Sequence, residues 1–561
     1  MPATPVTNTR VMGNAILSRD LPRGKAQDDG QFEMTGGGGL QAPLAQGSRL
    51  FWSGPVLFAL ALLVRLPGIG RPEIGDESAA VVAAGQTLTG IVELLVTRDA
   101  HPPLYFFLIY LWGMLSRELW WLRLLSVAFG AAACVLIYKI GAETFSPWIG
   151  RVTFFVVTLS PLLVFISQYL RPYSLALLLS VASVFLVTRL LCASDSRSFA
   201  RFLAGYTACA VLVLYTFYFS LFVVLAVNLF LFVHFMRWAP KRLAAWGVSA
   251  VIVGLAYLPW LPYYTAQMER VYSGISSSTP MLKEAKMGFY VGTVQVGAIA
   301  RAFLALLQVD ESRASAVRVS VHYSEPVLLL IVLAGGLTVL CLAVTGYWRL
   351  RRSGQLPALA SLVLLVAGVP IGCAVILSVA GDLGLFRPIA INLRYFGESA
   401  AFFAFVLSAW LLSVKPRFLA TGAIVALCLL FAVQLRFIYD YPFNDQSRLL
   451  EILNRNQDIE LVVSFTSSVE PLFDKTNRQR FRDRYRTLIL SPDGVEAGMS
   501  AIARHDRFYL FQITTAERMV QFPTFARQFE LALKRHDFVK AEEERVSDVL
   551  TVAVFERRGL P

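Results

Sequence analysis

The chain has 561 residues, of which 56% are hydrophobic and 16% charged, with a mean hydropathy of +0.58 and a formal charge of +13. Soluble domains carry about 25% charged residues, so this composition excludes an ordinary water-soluble fold. The positive charge does not argue for nucleic acid, because basic residues at the cytoplasmic ends of membrane spans account for it.

Residues 1–48 are polar and small, include the run GGGG at 36–39, and lack an apolar core of the signal-peptide kind. They read as a disordered cytoplasmic tail. The apolar surplus then falls in blocks of about 20 residues, the length that crosses a hydrocarbon core of about 30 Å. Eleven such spans are expected, near residues 50–68, 122–141, 148–169, 173–192, 201–216, 219–237, 243–262, 323–347, 357–380, 395–414 and 417–437. The further apolar run from Pro102 to Leu115 is only about 21 Å long as a helix. That suits an interfacial segment rather than a crossing.

Charge supports leaving that run out of the count. With the N-terminus inside, the inward loops carry Lys139 and Arg151; Arg189, Arg197 and Arg201; Arg237, Lys241 and Arg242; Arg349, Arg351 and Arg352; and Lys415 and Arg417. The short outward loops carry only Arg171, Arg387 and Arg394. Counting 102–115 as a span would invert every later loop against the positive-inside rule. The expectation is therefore an all-α polytopic membrane domain over 49–438, N-in and C-out, with outward segments 69–121 and 263–322. Residues 439–561 lack apolar blocks. They alternate β-rich runs (Leu461–Phe465, Thr487–Leu490, Phe508–Ile513, Leu550–Phe555) with helical stretches, the pattern of a small outward α/β domain. The six cysteines lie in or beside apolar blocks, without a C-x-x-C pair, and suggest neither disulfides nor zinc.

Chemistry-bearing residues gather on the outward side. RPEIGDESAAVVAAG places Asp76 and Glu77 next to each other just after the first span. Adjacent side chains on a helix or turn point in different directions; Asp76 fits a helix cap as well as an active-site acid. HPPLYFF fixes His101 before two prolines. SQYLRPYS places Arg171 and Tyr173 at the next outward turn, where the guanidinium is suited to snorkelling or to gripping a phosphate. INLRYFGESA places Arg394, Tyr395 and Glu398 at a late one. Carboxylates, a histidine and arginines at one depth suit a reaction on a lipid-linked phosphate, with a carboxylate as general base. In the C-terminal region NRQRFRDRYR has arginines at alternating positions. On a strand they would line one face; on a helix they would scatter. They suit a solvated basic surface, or a patch for anionic glycan or lipid.

The set GDES, HPPLYFFLIYLWG, SQYLRPYSLALLL and RYFGES, in this order over residues 50–440, resembles the GT-C glycosyltransferases. It is most similar to the protein O-mannosyltransferases, the lipid A aminoarabinose transferases and the rhizobial lipopolysaccharide sugar transferases. The resemblance implies inverting transfer of a monosaccharide from a polyprenyl-phosphate donor to a glycan, lipid or protein acceptor. It places the active site and C-terminal domain on the periplasmic side of a bacterial inner membrane. It gives Asp76 the role of catalytic base and Glu77 that of second acid. His101, Arg171, Arg394 and Tyr395 take the donor phosphate, with Tyr173 and Glu398 as further pocket residues. The chain departs from the aminoarabinose transferases at His101, where they carry Lys, and near Tyr173, where they carry Asp. No His/Asp ligand cluster is visible, so neither a metal nor another cofactor is expected. The alternative is a transporter or flippase of a lipid-linked sugar; such proteins usually place charges at mid-depth in broken helices and often carry internal repeats.

Overall fold

A computed structural model describes residues 52–71, 77–276, 340–352, 357–382, 393–439, 446–464, 475–490, 495–513, 523–546 and 550–558. The predicted tail, Asp76, residues 277–322, most of the span at 323–347, and Arg387 lie outside these.

The described chain is mostly helical. It opens with α1 (Gly54–Arg65), α2 (Ser78–Ala83), α3 (Leu88–Thr97) and α4 (Leu104–Gly113). There follow α5 (Leu119–Thr144), α6 (Pro147–Leu159), α7 (Pro161–Gln168), α8 (Tyr173–Leu191), α9 (Ser196–Leu214), α10 (Leu221–Trp238), α11 (Leu243–Tyr257) and α12 (Leu261–Ser276). Residues 340–352 are helical, and α13 (Pro357–Asp382), α14 (Gly397–Leu411) and α15 (Arg417–Tyr439) complete the apolar region. Six helical stretches among the described residues are long and apolar enough to cross a membrane, or seven if the bent pair α6–α7 is one span. Helices α1 and α14 are apolar but shorter. The protein is a multi-pass membrane protein.

Two local devices shape this region. The block predicted as one span over 148–169 is broken at Ser160–Pro161, and its halves meet at 57°. Pro161 has no N–H to give the preceding turn, and Ser160 Oγ caps the new helix by accepting from Leu163 N at 3.3 Å. The carbonyls of Val157 and Thr158, freed at the break, accept instead from the buried Arg65 guanidinium at 3.2 and 3.3 Å. Glycine makes the other device. A Cβ at Gly141 would stand 2.7 Å from Gly150 Cα, so α5 and α6 cross nearly backbone to backbone.

The run 102–115 folds as α4, ten residues capped by Pro103, whose first N–H bonds Tyr215 O at 2.9 Å. It is among the shorter apolar helices, about 15 Å long. Helix α12 runs past the predicted end of its span at 262, and carries Gln267 and Arg270 over the loop at 99–101.

The C-terminal region contains a small sheet with helices packed on it. Its five strands are β1 (Leu461–Ser464), β2 (Arg486–Ile489), β3 (Arg507–Ile513), β4 (Phe538–Arg545) and β5 (Leu550–Arg557). Their order is β2-β1-β3-β5-β4, with β1 parallel to β2 and β3, and β5 antiparallel to β3 and β4. Along β3 the side chains alternate. Tyr509 and Phe511 pack with Leu449 and Ile452 on one face; Phe508 and Leu510 pack with Phe529 and Leu533 on the other. The alternating arginines of 477–486 fall mainly on a helix, Lys475–Arg484, rather than a strand. Alternate positions on a helix do not share one row as they would on a strand.

Candidate functional site

Glu77 enters the fold as the residue before α2, and its carboxylate is wholly buried with Arg123 of α5. Arg123 Nε and Nη2 donate to the two oxygens at 3.0 and 2.5 Å, a forked geometry. Leu170 N donates to Oε1 at 2.8 Å. Arg123 Nη1 also donates to the carbonyls of Ile69, at 2.9 Å, and Arg71. One guanidinium therefore ties Ile69, Arg71 and Glu77 to α5. The pair fixes Arg71 and Glu77 relative to each other, and Glu77 itself is committed to the fold.

The second cluster joins the end of the α3–α4 loop to the α7–α8 turn. Asp99 Oδ2 accepts from Arg171 Nη1 at 2.6 Å, and Asp99 Oδ1 lies 2.5 Å from His101 Nδ1. Arg171 Nη2 is 2.9 Å from the same His101 nitrogen. All three side chains are buried. Helix α12 fixes the backbone beneath them. Gln267 donates to the carbonyls of Leu95 and His101, both at 3.1 Å, and Arg270 Nη2 donates to Asp99 O at 2.6 Å. Tyr218 in turn donates to Gln267 and accepts from Trp260 Nε1 at 2.9 Å.

The electrostatics follow from this packing. Burial alone would raise the Asp99 carboxyl, but the Arg171 charge and the hydrogen bonds from Arg171 and His101 outweigh it and hold it far below the usual carboxylate range. Burial and then Arg171 push His101 below its ordinary value; Asp99 pulls it back in part, and Arg394 lowers it further. The imidazole is thus held towards its neutral form.

An aromatic wall carries the remaining residues. Phe165, Tyr169 and Tyr173 stack in series, with centroids 5.4 and 6.2 Å apart. Arg394 lies over Tyr169 and Tyr173 at 5.4 and 5.8 Å and donates to Tyr169 Oη at 3.1 Å. Arg71 lies over Phe165 at 5.7 Å and reaches Gln168 Oε1 at 3.5 Å. Tyr395 packs 6.0 Å from Tyr173 and 5.4 Å from Phe217, and Phe217 stacks on His101 at 5.9 Å.

Of the residues singled out by sequence, His101, Arg171, Tyr173, Arg394 and Tyr395 come together, with Glu77 reaching them through Leu170. Glu398 does not join them. It points into the helix bundle and accepts from Ser180 and Ser220 hydroxyls at 2.6 and 2.7 Å, tying α8, the start of α10 and α14. Asp76 lies outside the described residues. Sequence reasoning missed Asp99, Arg123, Arg71 and the α12 pair Gln267 and Arg270. Arg123 had a legible signal, a charge inside an apolar block; Asp99 had only its place two residues before His101. Among the described residues no group of three or more His, Cys, Asp or Glu side chains is arranged to hold a metal ion. Chemically, the wall offers guanidinium charge for an anionic group and aromatic faces for a sugar ring or apolar chain.

No family model matches the chain, and no curated protein matches it by sequence. Solved structures that align with it include two of one protein. One is ArnT from Cupriavidus metallidurans in the apo state, at 11% identity and a TM-score of 0.42 over 91% of this chain and 98% of that one. The other is the same protein bound to undecaprenyl phosphate, at 12% identity and a TM-score of 0.40 with the same coverage.

Proposed function

We propose that this protein is a membrane-embedded glycosyltransferase that moves a monosaccharide from a polyprenyl-phosphate donor to an acceptor hydroxyl, with inversion. The observation that carries the reading is the convergence of Arg394, Arg171 and His101 with Tyr169, Tyr173 and Tyr395. They gather beside the Glu77–Arg123 pair, whose Glu77 follows Asp76 in sequence. Guanidinium groups over aromatic faces suit a phosphate that carries a sugar on one side and a lipid chain on the other.

In this scheme Asp76 takes the proton of the acceptor hydroxyl as its oxygen attacks the anomeric carbon. The bond from that carbon to the phosphate oxygen breaks, and polyprenyl phosphate leaves with the electron pair. Arg394 and Arg171 meet the charge that develops on the leaving phosphate. His101, held towards its neutral form, has one ring N–H to donate and one ring nitrogen to accept. Glu77 positions the loop that carries the base. The reading includes no divalent metal. It places the site on the outer face of a bacterial inner membrane, with eleven crossings, N-in and C-out, and the C-terminal domain outside. The acceptor is a lipopolysaccharide, cell-wall glycan or protein.

Deletion of the coding sequence tests this. Mass spectrometry of lipopolysaccharide, wall glycan and glycoproteins should find one of them short of a single monosaccharide, restored by the wild-type chain. A deletion strain in which all three keep every sugar contradicts the reading.

A further inference from the structure

Asp99 stands where a ligand anion would stand. Its two oxygens meet Arg171 Nη1 at 2.6 Å and His101 Nδ1 at 2.5 Å, the contacts that two phosphate oxygens would make with the same guanidinium and imidazole. It is not free to swing aside. Ala100 N donates to Oδ1 at 2.8 Å, and Arg270 from α12 holds the Asp99 carbonyl at 2.6 Å. Gln267 holds the carbonyl of His101 on the same helix. The carboxylate is thus anchored from its own loop and from α12, and it keeps its negative charge because Arg171 and His101 surround it.

The charge has two consequences. While no anion is bound, it keeps a buried guanidinium and an imidazole in one arrangement, sparing the site an uncompensated buried cation. When an anion does bind on Arg171, it lies within a few ångströms of a fixed carboxylate. Like charges at that distance in a partly buried site repel by enough to change affinity about tenfold or more.

We infer that Asp99 is the internal counter-anion of the phosphate site: it positions Arg171 and His101 and weakens their hold on a lipid phosphate. This rests on the donor-phosphate reading above and adds a release step to it. The donor brings a sugar whose contacts with Tyr173 and Tyr395 add to binding. The lipid phosphate left after transfer lacks those contacts, and the repulsion from Asp99 then favours its departure. Asp99 is a positioning residue and touches none of the reacting atoms.

The test is binding to the full-length protein in lipid nanodiscs, with undecaprenyl phosphate, undecaprenol and inorganic phosphate as probes. Wild type should bind undecaprenyl phosphate in preference to the uncharged alcohol; equal binding defeats the donor-phosphate reading itself. Asp99→Asn should bind undecaprenyl phosphate about tenfold tighter or more while undecaprenol is unchanged. Equal or weaker binding of the phosphate by a folded Asp99→Asn protein overturns the inference and leaves the reading intact. If Asp99→Asn does not fold, the comparison moves to Arg171→Gln with and without Asp99→Asn. The doubly substituted protein should bind undecaprenyl phosphate about tenfold tighter than Arg171→Gln alone, and equal affinity overturns the inference. A gain for inorganic phosphate without one for the lipid would assign the site to free anions and overturn it also.

Discussion

Replacing Arg123 by methionine tests how the site is held. Arg123 is fully buried and gives a fork to Glu77, bonded at 3.0 and 2.5 Å, and further bonds to the carbonyls of Ile69 and Arg71. Arg123→Met removes the fork and leaves the Glu77 carboxylate buried with its contact from Leu170 N. Removing one partner of a buried pair costs about 3–5 kcal/mol, because the other charge stays behind uncompensated. At about 1 °C per kcal/mol for a chain of this length, the expected fall in melting temperature is roughly 3–5 °C. Static light scattering or dye-reported melting of the detergent-solubilised protein measures it. Replacing both partners, Glu77→Leu with Arg123→Met, should recover part of the loss, since no buried charge is left unmatched. Arg123→Met melting within a degree of wild type would refute the claim that this pair fastens Arg71 and Glu77 to α5.

Three further outcomes follow from the same geometry. Arg394→Ala should weaken undecaprenyl phosphate binding about tenfold or more with little change in melting, since it removes a charge-assisted contact from a half-buried side chain; unchanged affinity would take Arg394 out of the site. His101, whose ordinary value is 6.5, is lowered in the folded protein, so the unfolded chain binds its proton first as pH falls. Its stabilising effect is present above about pH 6.5 and is lost as pH drops from there towards the lowered folded value. Melting temperature should therefore decline below that pH, and the decline should shrink in His101→Gln; identical pH slopes in the two proteins would count against a buried neutral imidazole. A cysteine at Arg197 in a cysteine-free chain should resist a membrane-impermeant maleimide in intact spheroplasts and react after permeabilisation, whereas labelling before permeabilisation would reverse the proposed topology.

The helical region was legible because burial in lipid demands long apolar runs, and these are visible without any tertiary knowledge. The break at Ser160–Pro161 was readable in principle from the proline, yet the apolar run continues through it and hides the bend. In the C-terminal domain β4 was missed because FVKAEEER reads as charged; it is an edge strand, where charge is expected. The arginines of 477–486 were compatible with a strand or a helix. Their alternation fits a strand, but the segment is helical and the spacing has no structural meaning there. Asp99 was invisible because its value lies in Arg171, 72 positions away, and in Arg270 beyond that. Arg171 read as a lone outward charge; folding gives it a buried carboxylate, which changes it from a free hook for phosphate into one member of a balanced cluster. Glu398 shared a motif with Arg394 and Tyr395, but on α14 its side chain turns towards Ser180 and Ser220, which their distance in sequence hides.

The central claim is sugar transfer from a lipid phosphate with Asp76 as the base. The most direct measurement is transfer of radiolabelled sugar from polyprenyl phosphate to endogenous acceptor in membranes carrying Asp76→Asn beside wild type. The amide cannot accept the proton at neutral pH, so transfer should fall by at least about a hundredfold, while insertion, melting temperature and undecaprenyl phosphate binding stay near wild type. Transfer at the wild-type rate by Asp76→Asn would contradict the account.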